Sequence, residues 1–248
     1  MAAQSLSRQA RGEIRDAVEH FLKKRHLFEL FAEGVVSALQ GDEDLRPYIQ
    51  QIKYRLKSEA RLKTKLERKA AQRSRSEAEP ITKSNLFRKI NDLAGIRILH
   101  LHTTQFAEIH RHVTRIASEN KIRIVEGPTA HCWDNDHEDF FKRLGITTAR
   151  VGPTSVPGDT MYASVHYILE ANQTERITCE LQVRTLADEI WGQVSHRVEY
   201  EGGQADGQVH DMLKVLARLT SASTRLVDCI FEVRGRERRS GRYWQRRQ

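Results

Sequence analysis

Cysteine is scarce in this chain: its 248 residues hold three, Cys132, Cys179 and Cys229, widely separated and odd in number. That excludes a disulfide framework and a CxxC zinc knuckle, and three reduced thiols are expected. Long apolar runs are missing too. No stretch approaches the ~18 to 20 apolar residues that a membrane span requires. The opening MAAQSLSRQARGEIRD lacks the apolar centre of a secretory signal, so a cytoplasmic protein with no membrane contact is expected. No internal repeat is present. At 39% hydrophobic, the chain suffices for one full core with helical attachments.

Charge is plentiful but uneven. The net charge of +8 resides in two segments: residues 53–75 carry ten Lys/Arg against Glu59 and Glu67, and residues 234–248 carry seven Arg against Glu237. The rest of the chain is net acidic. Basicity focused in this way usually meets phosphate, of a nucleotide or of a nucleic acid, although a solvated helix face would look the same.

Apolar residues at three- and four-residue steps from Ile14 to Leu39 predict an amphipathic helix over 13–40, stopped by Gly41. Leu62 and Leu66 predict a second helix opening near Ser58, and 72–84 reads as a surface loop. A short helix SNLFRKI, capped by Ser84 or Asn85, precedes a strand LAGIRILHL. A helix over 105–118, an extended stretch over 121–125 and a short helix near 137–143 follow. Strands are expected at 162–170 and 176–184, then helices at 186–200 and 208–232. The alternation is that of an α+β fold, with a mixed sheet flanked by helices.

Residues two apart in a strand face the same way. Tyr162, Ser164 and His166 therefore share one face, as do Glu180, Gln182 and Arg184 in the next strand. In the following helix Glu189, Gln193, His196 and Tyr200 form one polar stripe that can roof those rows. Asp92 opens an earlier strand that contains Arg97. A pair of carboxylates, Asp92 and Glu180, among clustered Lys and Arg suits Mg²⁺, which takes one or two hard oxygen ligands and leaves the rest to water and phosphates. The set reads as phosphoryl-type transfer. His100 with His102, and the loop group His131, Cys132, Asp134, Asp136 and His137, read more simply as satisfied or solvated polar residues than as metal ligands.

Four segments, RLKSEARLKTKLERK from Arg55, DLAGIRI from Asp92, YASVHY from Tyr162 and ELQVRTLADEIWGQVSHRVEY from Glu180, resemble in this order the motifs of RelA/SpoT-type (p)ppGpp synthetases. The resemblance covers roughly residues 50–200. It implies a nucleotidyltransferase-like mixed sheet flanked by helices, and Mg²⁺-dependent transfer of pyrophosphate from ATP to the 3′-hydroxyl of GDP or GTP. It also implies roles. Arg55 and Arg97 would sandwich adenine, and Lys57 and Lys65 would meet the ATP phosphates. Asp92 and Glu180 would hold the metal, with Glu180 helping to deprotonate the attacking hydroxyl. Tyr162 would stack on the acceptor base, His166 would lie near the acceptor phosphates, and Ser164, Gln182, Arg184 and His196 would complete the acceptor side.

The pattern also departs from the family. Arg61 stands where a serine is usual, Met161 where a glycine, Gly158 where many members have a lysine, and Glu189 where several small synthetases have an asparagine. The ATP half is thus better kept than the acceptor half. The expected organisation is an N-terminal helical extension over 1–45, a synthetase domain over 46–203, a C-terminal helix over 204–233 and a basic tail over 234–248 without fixed structure. With so little chain before Arg55, the hydrolase domain of the long members is not expected. Two alternatives stay open at this point: a toxic synthetase that pyrophosphorylates the 3′ end of tRNA or an adenosine nucleotide, and an inactive nucleotide- or RNA-binding module. A homo-oligomer and an antitoxin partner are compatible with either enzymatic reading.

Overall fold

The computed structural model describes residues 6–73, 79–151, 163–201 and 207–245. The first apolar stripe becomes α1 (Arg8–Gly41), started by Ser7, whose hydroxyl accepts from the Ala10 amide at 3.1 Å. It buries Ile14, Val18, Phe21, Phe28, Val35 and Leu39. The basic segment then splits into β1 (Gln51–Leu56) and α2 (Glu59–Arg73). After the short helix α3 (Leu86–Lys89) come β2 (Ala94–His100), α4 (Phe106–Glu119), β3 (Arg123–Cys132), α5 (Asn135–Arg143) and β4 (Thr147–Arg150). The chain ends in β5 (Ser164–Glu170), β6 (Thr178–Thr185), α6 (Leu186–Glu201) and α7 (Gly207–Gln245).

The strands form one mixed six-stranded sheet of order β1-β2-β6-β5-β3-β4. Strands β2 and β6 run parallel, as do β3 and β4, and the other neighbours are antiparallel. The two-residue period divides the sheet. Ile96, Ile98, Val165, Tyr167, Leu181 and Val183 point into one core shared with α1 and α4, where Phe106, Ile109 and Val113 join them. Their neighbours Arg97, His166, Glu180 and Gln182 are left on the opposite face.

Several elements depart from the sequence reading. Strand β1 went unrecognised because it is an edge strand with mostly exposed side chains, defined by pairing with β2 rather than by burial. Strand β3 begins within the extended stretch expected at 121–125 but runs on to Cys132, and β4 was not expected. Asn85, although at the cap position of α3, makes no cap bond; its side chain braces the preceding turn by accepting from the Thr82 amide and donating to the Pro80 carbonyl, each at 2.8 Å.

The basic tail is also different from expectation, since α7 continues through Arg234 to Gln245. Arginine and glutamate are good helix formers, and an i,i+4 pair between Glu232 and Arg236 bridges the expected end. Helix α7 docks through a mostly small and polar face, with Ala217, Thr220, Ser221 and Thr224 buried beside Leu213. Six other apolar residues, Met212, Val215, Leu219, Leu226, Ile230 and Val233, are exposed and do not cover the sheet.

Candidate active site

The polar face of the sheet carries a row of side chains in register across five strands. Lys53 of β1 pairs with Arg97 of β2, Arg97 with Gln182 of β6, Gln182 with His166 of β5, and His166 with Thr129 of β3. One step toward the N-terminus of β2, Arg55 pairs with Gly95 and Gly95 with Glu180. Asp92 lies just before β2, and the amide of Lys57 donates to the Leu93 carbonyl at 2.8 Å, which brings the end of β1 beside it. Of these, Lys53, Arg55, Lys57, Asp92, Arg97, Glu180 and Gln182 line a cleft of about 290 Å³, joined by Arg61 and Gln193.

At one end of the cleft, Asp92 Oδ2 lies 2.9 Å from Lys57 Nζ and 2.7 Å from Lys65 Nζ. Burial alone would raise the Asp92 carboxyl, but the two ammonium groups outweigh it and hold it below its ordinary value. Burial likewise lowers the Lys57 ammonium, against the pull of Asp92. Burial, then Arg97 and Arg61, lowers the Arg55 guanidinium, which stays charged at any physiological pH.

Glu180 lies at the middle. Gln182 Nε2 donates to its Oε2 at 2.7 Å, and His166 Nδ1 lies 3.4 Å from its Oε1. Burial would raise this carboxyl too, yet the His166 and Gln182 contacts prevail and it is lowered, so Glu180 is a carboxylate at neutral pH. The orienting chain runs further, since Gln182 Oε1 accepts from Arg97 Nε at 3.1 Å and from Arg184 at 3.0 Å.

A buried carboxylate oxygen, Asp92 Oδ1, has no hydrogen-bond partner among the described residues. Such an oxygen near a second carboxylate, with ammonium groups that would also meet phosphates, fits a divalent cation of the Mg²⁺ kind. No group of three or more His, Cys, Asp or Glu suited to a metal occurs among the described residues, and Mg²⁺ does not require one. What the cleft offers is charge neutralisation for a polyphosphate beside an ionised, oriented carboxylate.

Residues 54–205 match the region found in RelA / SpoT proteins, more than half of the chain. The chain belongs to the RelA/SpoT family. Among curated proteins, this RelA/SpoT chain is 25% identical over 177 residues to the GTP pyrophosphokinase YwaC of Bacillus subtilis, covering 69% of this chain and 68% of that one. Its fold is that of the small alarmone synthetase 1 of Bacillus subtilis, with a TM-score of 0.58 at 19% identity over 88% of this chain and 99% of that chain. The same synthetase bound to its product pppGpp matches with a TM-score of 0.57 at 20% identity, covering 87% and 97% of the two chains. A GTP pyrophosphokinase family protein from Streptococcus pneumoniae matches with a TM-score of 0.53 at 18% identity, covering 95% and 97%.

The four segments that resembled the family lie within or beside the matched region, and the structure joins their side chains. Arg55, Lys57, Lys65, Asp92, Arg97, Glu180, Gln182 and His166 converge as described. Arg184 reaches Gln182 but is buried beneath α6. Ser164 does not open on the cleft: it is buried, its hydroxyl donates to the Val183 carbonyl at 3.4 Å, and it faces a small cavity with His137 and Asp188. His196 lies half-buried on α6. Tyr162, Gly158, Met161 and the side chain of Tyr200 lie outside the described residues.

Two contributors, Lys53 and His131, and the ionic role of a third, Glu189, emerge only in the tertiary structure. Lys53 enters through the unrecognised strand β1. His131 was grouped with a loop but lies on β3, its ring 4.4 Å from that of His166; burial, helped by His166, lowers its pKa to about 4, so it is a neutral partner. Glu189 was noted as a departure and as part of a stripe, and it proves to be an ionic hub. The register of β3 on β5 brings His131 near, after an irregular step between Glu126 and Thr129. Gly127 sits in that step with φ +82°, and a Cβ there would collide with the His166 carbonyl. His100 and His137 are satisfied polar groups, bonded to the His102 carbonyl and to Asp134.

Proposed function

We propose that this protein is an ATP-dependent pyrophosphokinase that transfers the pyrophosphate of ATP to the 3′-hydroxyl of GDP or GTP, making (p)ppGpp. The carrying observation is the pair Asp92 and Glu180 under Lys57, Lys65 and Arg55, in a chain of the RelA/SpoT family. The GTP pyrophosphokinase relative and the alarmone synthetase structures bound to pppGpp and to AMPCPP support the donor and the acceptor.

The acceptor's 3′-oxygen attacks the β-phosphorus of ATP, the bond from that phosphorus to the α,β-bridging oxygen breaks, and AMP departs. Glu180 is the base for the hydroxyl proton, because Gln182 and His166 hold it ionised and oriented. Lys57 and Lys65 neutralise the phosphates, and Arg55 and Arg97 flank the adenine. Asp92 and Glu180 would hold Mg²⁺, which supplies Lewis-acid polarisation of the phosphates when bound. His166 and Gln182 border the acceptor, with Tyr162, Arg184 and His196 completing its side. The synthetase domain over 46–203 carries all of these residues.

The exposed residues Met212, Leu219, Leu226 and Val233 recur every seven positions along α7. A heptad seam of that kind suits a second α7 from another copy of this chain. No helix of the described residues is long and apolar enough to cross a membrane, and a cytoplasmic location agrees with nucleotide substrates.

The deciding test incubates the protein with Mg²⁺ and ATP labelled at the β-phosphate, offering GDP, GTP and bulk tRNA in parallel. Label in guanosine tetra- or pentaphosphate is expected. Label in tRNA alone, or in no acceptor, would overturn the assignment.

A further inference from the structure

Glu189 has both carboxylate oxygens engaged. Its Oε1 lies 3.2 Å from Arg97 Nη1, accepts from Gln193 Nε2 at 2.6 Å and lies 3.9 Å from Lys53 Nζ, while its Oε2 lies 3.1 Å from Arg184 Nε. Only 8% of the side chain is exposed. Burial would raise its carboxyl, but Arg184, Gln193 and Arg97 prevail and lower it. The helix that carries it is shaped for the same contact, because a Cβ on Gly192 would come within 2.5 Å of Arg184 Nη1. Asp92, at the other end of the cleft, differs in keeping one oxygen without a partner among the described residues.

A guanidinium beside a lysine holds a polyphosphate more directionally than two lysines, because its fork donates two parallel hydrogen bonds. Left uncancelled, Arg97 and Lys53, which both line the cleft, would compete with Lys57 and Lys65 for the triphosphate of ATP. The reacting phosphorus would then lie at the wrong end of the cleft, away from Asp92.

We propose that Glu189 is a positioning residue that sets the direction in which ATP lies: it cancels Arg97 and Lys53 as a polyphosphate site, so that the triphosphate goes to Lys57 and Lys65 and the face of Arg97 is left for the base. This rests on the ATP-dependent function proposed above. It makes Glu189 a determinant of productive binding that never touches the reacting atoms.

The test measures the binding of inorganic tripolyphosphate by calorimetry, together with turnover from ATP, in wild type, Glu189→Gln and Glu189→Asp. Glu189→Gln should bind tripolyphosphate about tenfold more tightly and turn over about tenfold more slowly, since one charge-assisted contact is worth about that factor. The opposite signs separate this role from a structural one, which would weaken both. Glu189→Asp keeps the charge and should bind tripolyphosphate as wild type does; a gain in that variant would overturn the proposal even if Glu189→Gln fails to fold. Unchanged or weaker tripolyphosphate binding in a folded Glu189→Gln would overturn it as well. The binding arm needs no acceptor and no turnover, so its outcome is read apart from wild-type transfer, whose absence would count against the proposed function instead.

Discussion

Gln182 donates an amide N–H to Glu180 at 2.7 Å from two positions along the same strand face, while its own carbonyl oxygen accepts from both Arg97 and Arg184. The amide can satisfy both neighbours in only one orientation, with its NH₂ toward the carboxylate and its oxygen toward the guanidiniums. The ionised state and the aim of Glu180 are thereby tied to a residue that takes no proton itself.

Glu180→Gln should lower turnover by about 10² or more, because it removes a base and a metal-binding carboxylate together. Binding of a non-hydrolysable ATP analogue, measured by calorimetry, should change little. Near-normal label transfer would exclude Glu180 from both roles.

Asp92→Asn removes the carboxylate that Lys57 and Lys65 share. Turnover should fall by about 10², and the Mg²⁺ concentration for half-maximal transfer should rise about tenfold. Chelation of divalent ions should stop transfer in the wild type and leave the thermal midpoint in place. An unaltered Mg²⁺ dependence in the variant would remove Asp92 from the metal site.

Gly192→Ala places a methyl group against the Arg184 guanidinium. The helix favours alanine by about 1 kcal/mol at an unconstrained site, so any loss of thermal midpoint measures the collision. Turnover should fall severalfold as Arg184 leaves Gln182, and a more stable, fully active variant would show that Arg184 has room to move.

The buried pair of His137 and Asp134 holds α7 to α5, with Ser221 of α7 donating to Asp134 at 2.9 Å. Burial alone would lower the His137 imidazole, but the Asp134 contact outweighs it and raises it above its ordinary value of 6.5. A raised histidine contributes its full stability below pH 6.5 and loses it as the pH climbs through the folded value. Wild type should therefore exceed His137→Gln in unfolding free energy by about 1 to 3 kcal/mol near pH 6, with the gap narrowing toward pH 9. A gap independent of pH would show that the imidazolium contributes nothing.

If α7 pairs with a second copy, Leu219→Glu with Leu226→Glu should lower the mass measured by light scattering to that of one chain. Both residues are over half exposed, at 60% and 63%, so the single chain should keep its thermal midpoint. An equal mass for both proteins would assign the stripe elsewhere.

Much of the candidate site is legible in the sequence. The alternation Glu180, Gln182, Arg184 and the stripe Glu189, Gln193 are local periods of two and 3.6, which the backbone enforces wherever a strand or a helix forms. The identity of the family was legible for a related reason, since its motifs are short and lie in order along the chain. Periodicity was silent on which face is covered. The apolar stripe of α7 predicted a helix correctly, yet Ser221, Thr224 and Ala217 are the side that docks, because Asp134 and Thr185 wait there with hydrogen bonds. Ser164, alternating with His166, looked like a substrate contact and is buried against β6.

The sequence by itself determined the α+β alternation, the RelA/SpoT motifs and the identity of the carboxylates, because each is written in residues near one another along the chain. Only the tertiary structure decided which charges meet. Lys57 is 35 residues from Asp92, and Arg97 is 92 from Glu189. Coulomb energy depends on separation and burial, and both are set by strand register and helix docking rather than by order along the chain.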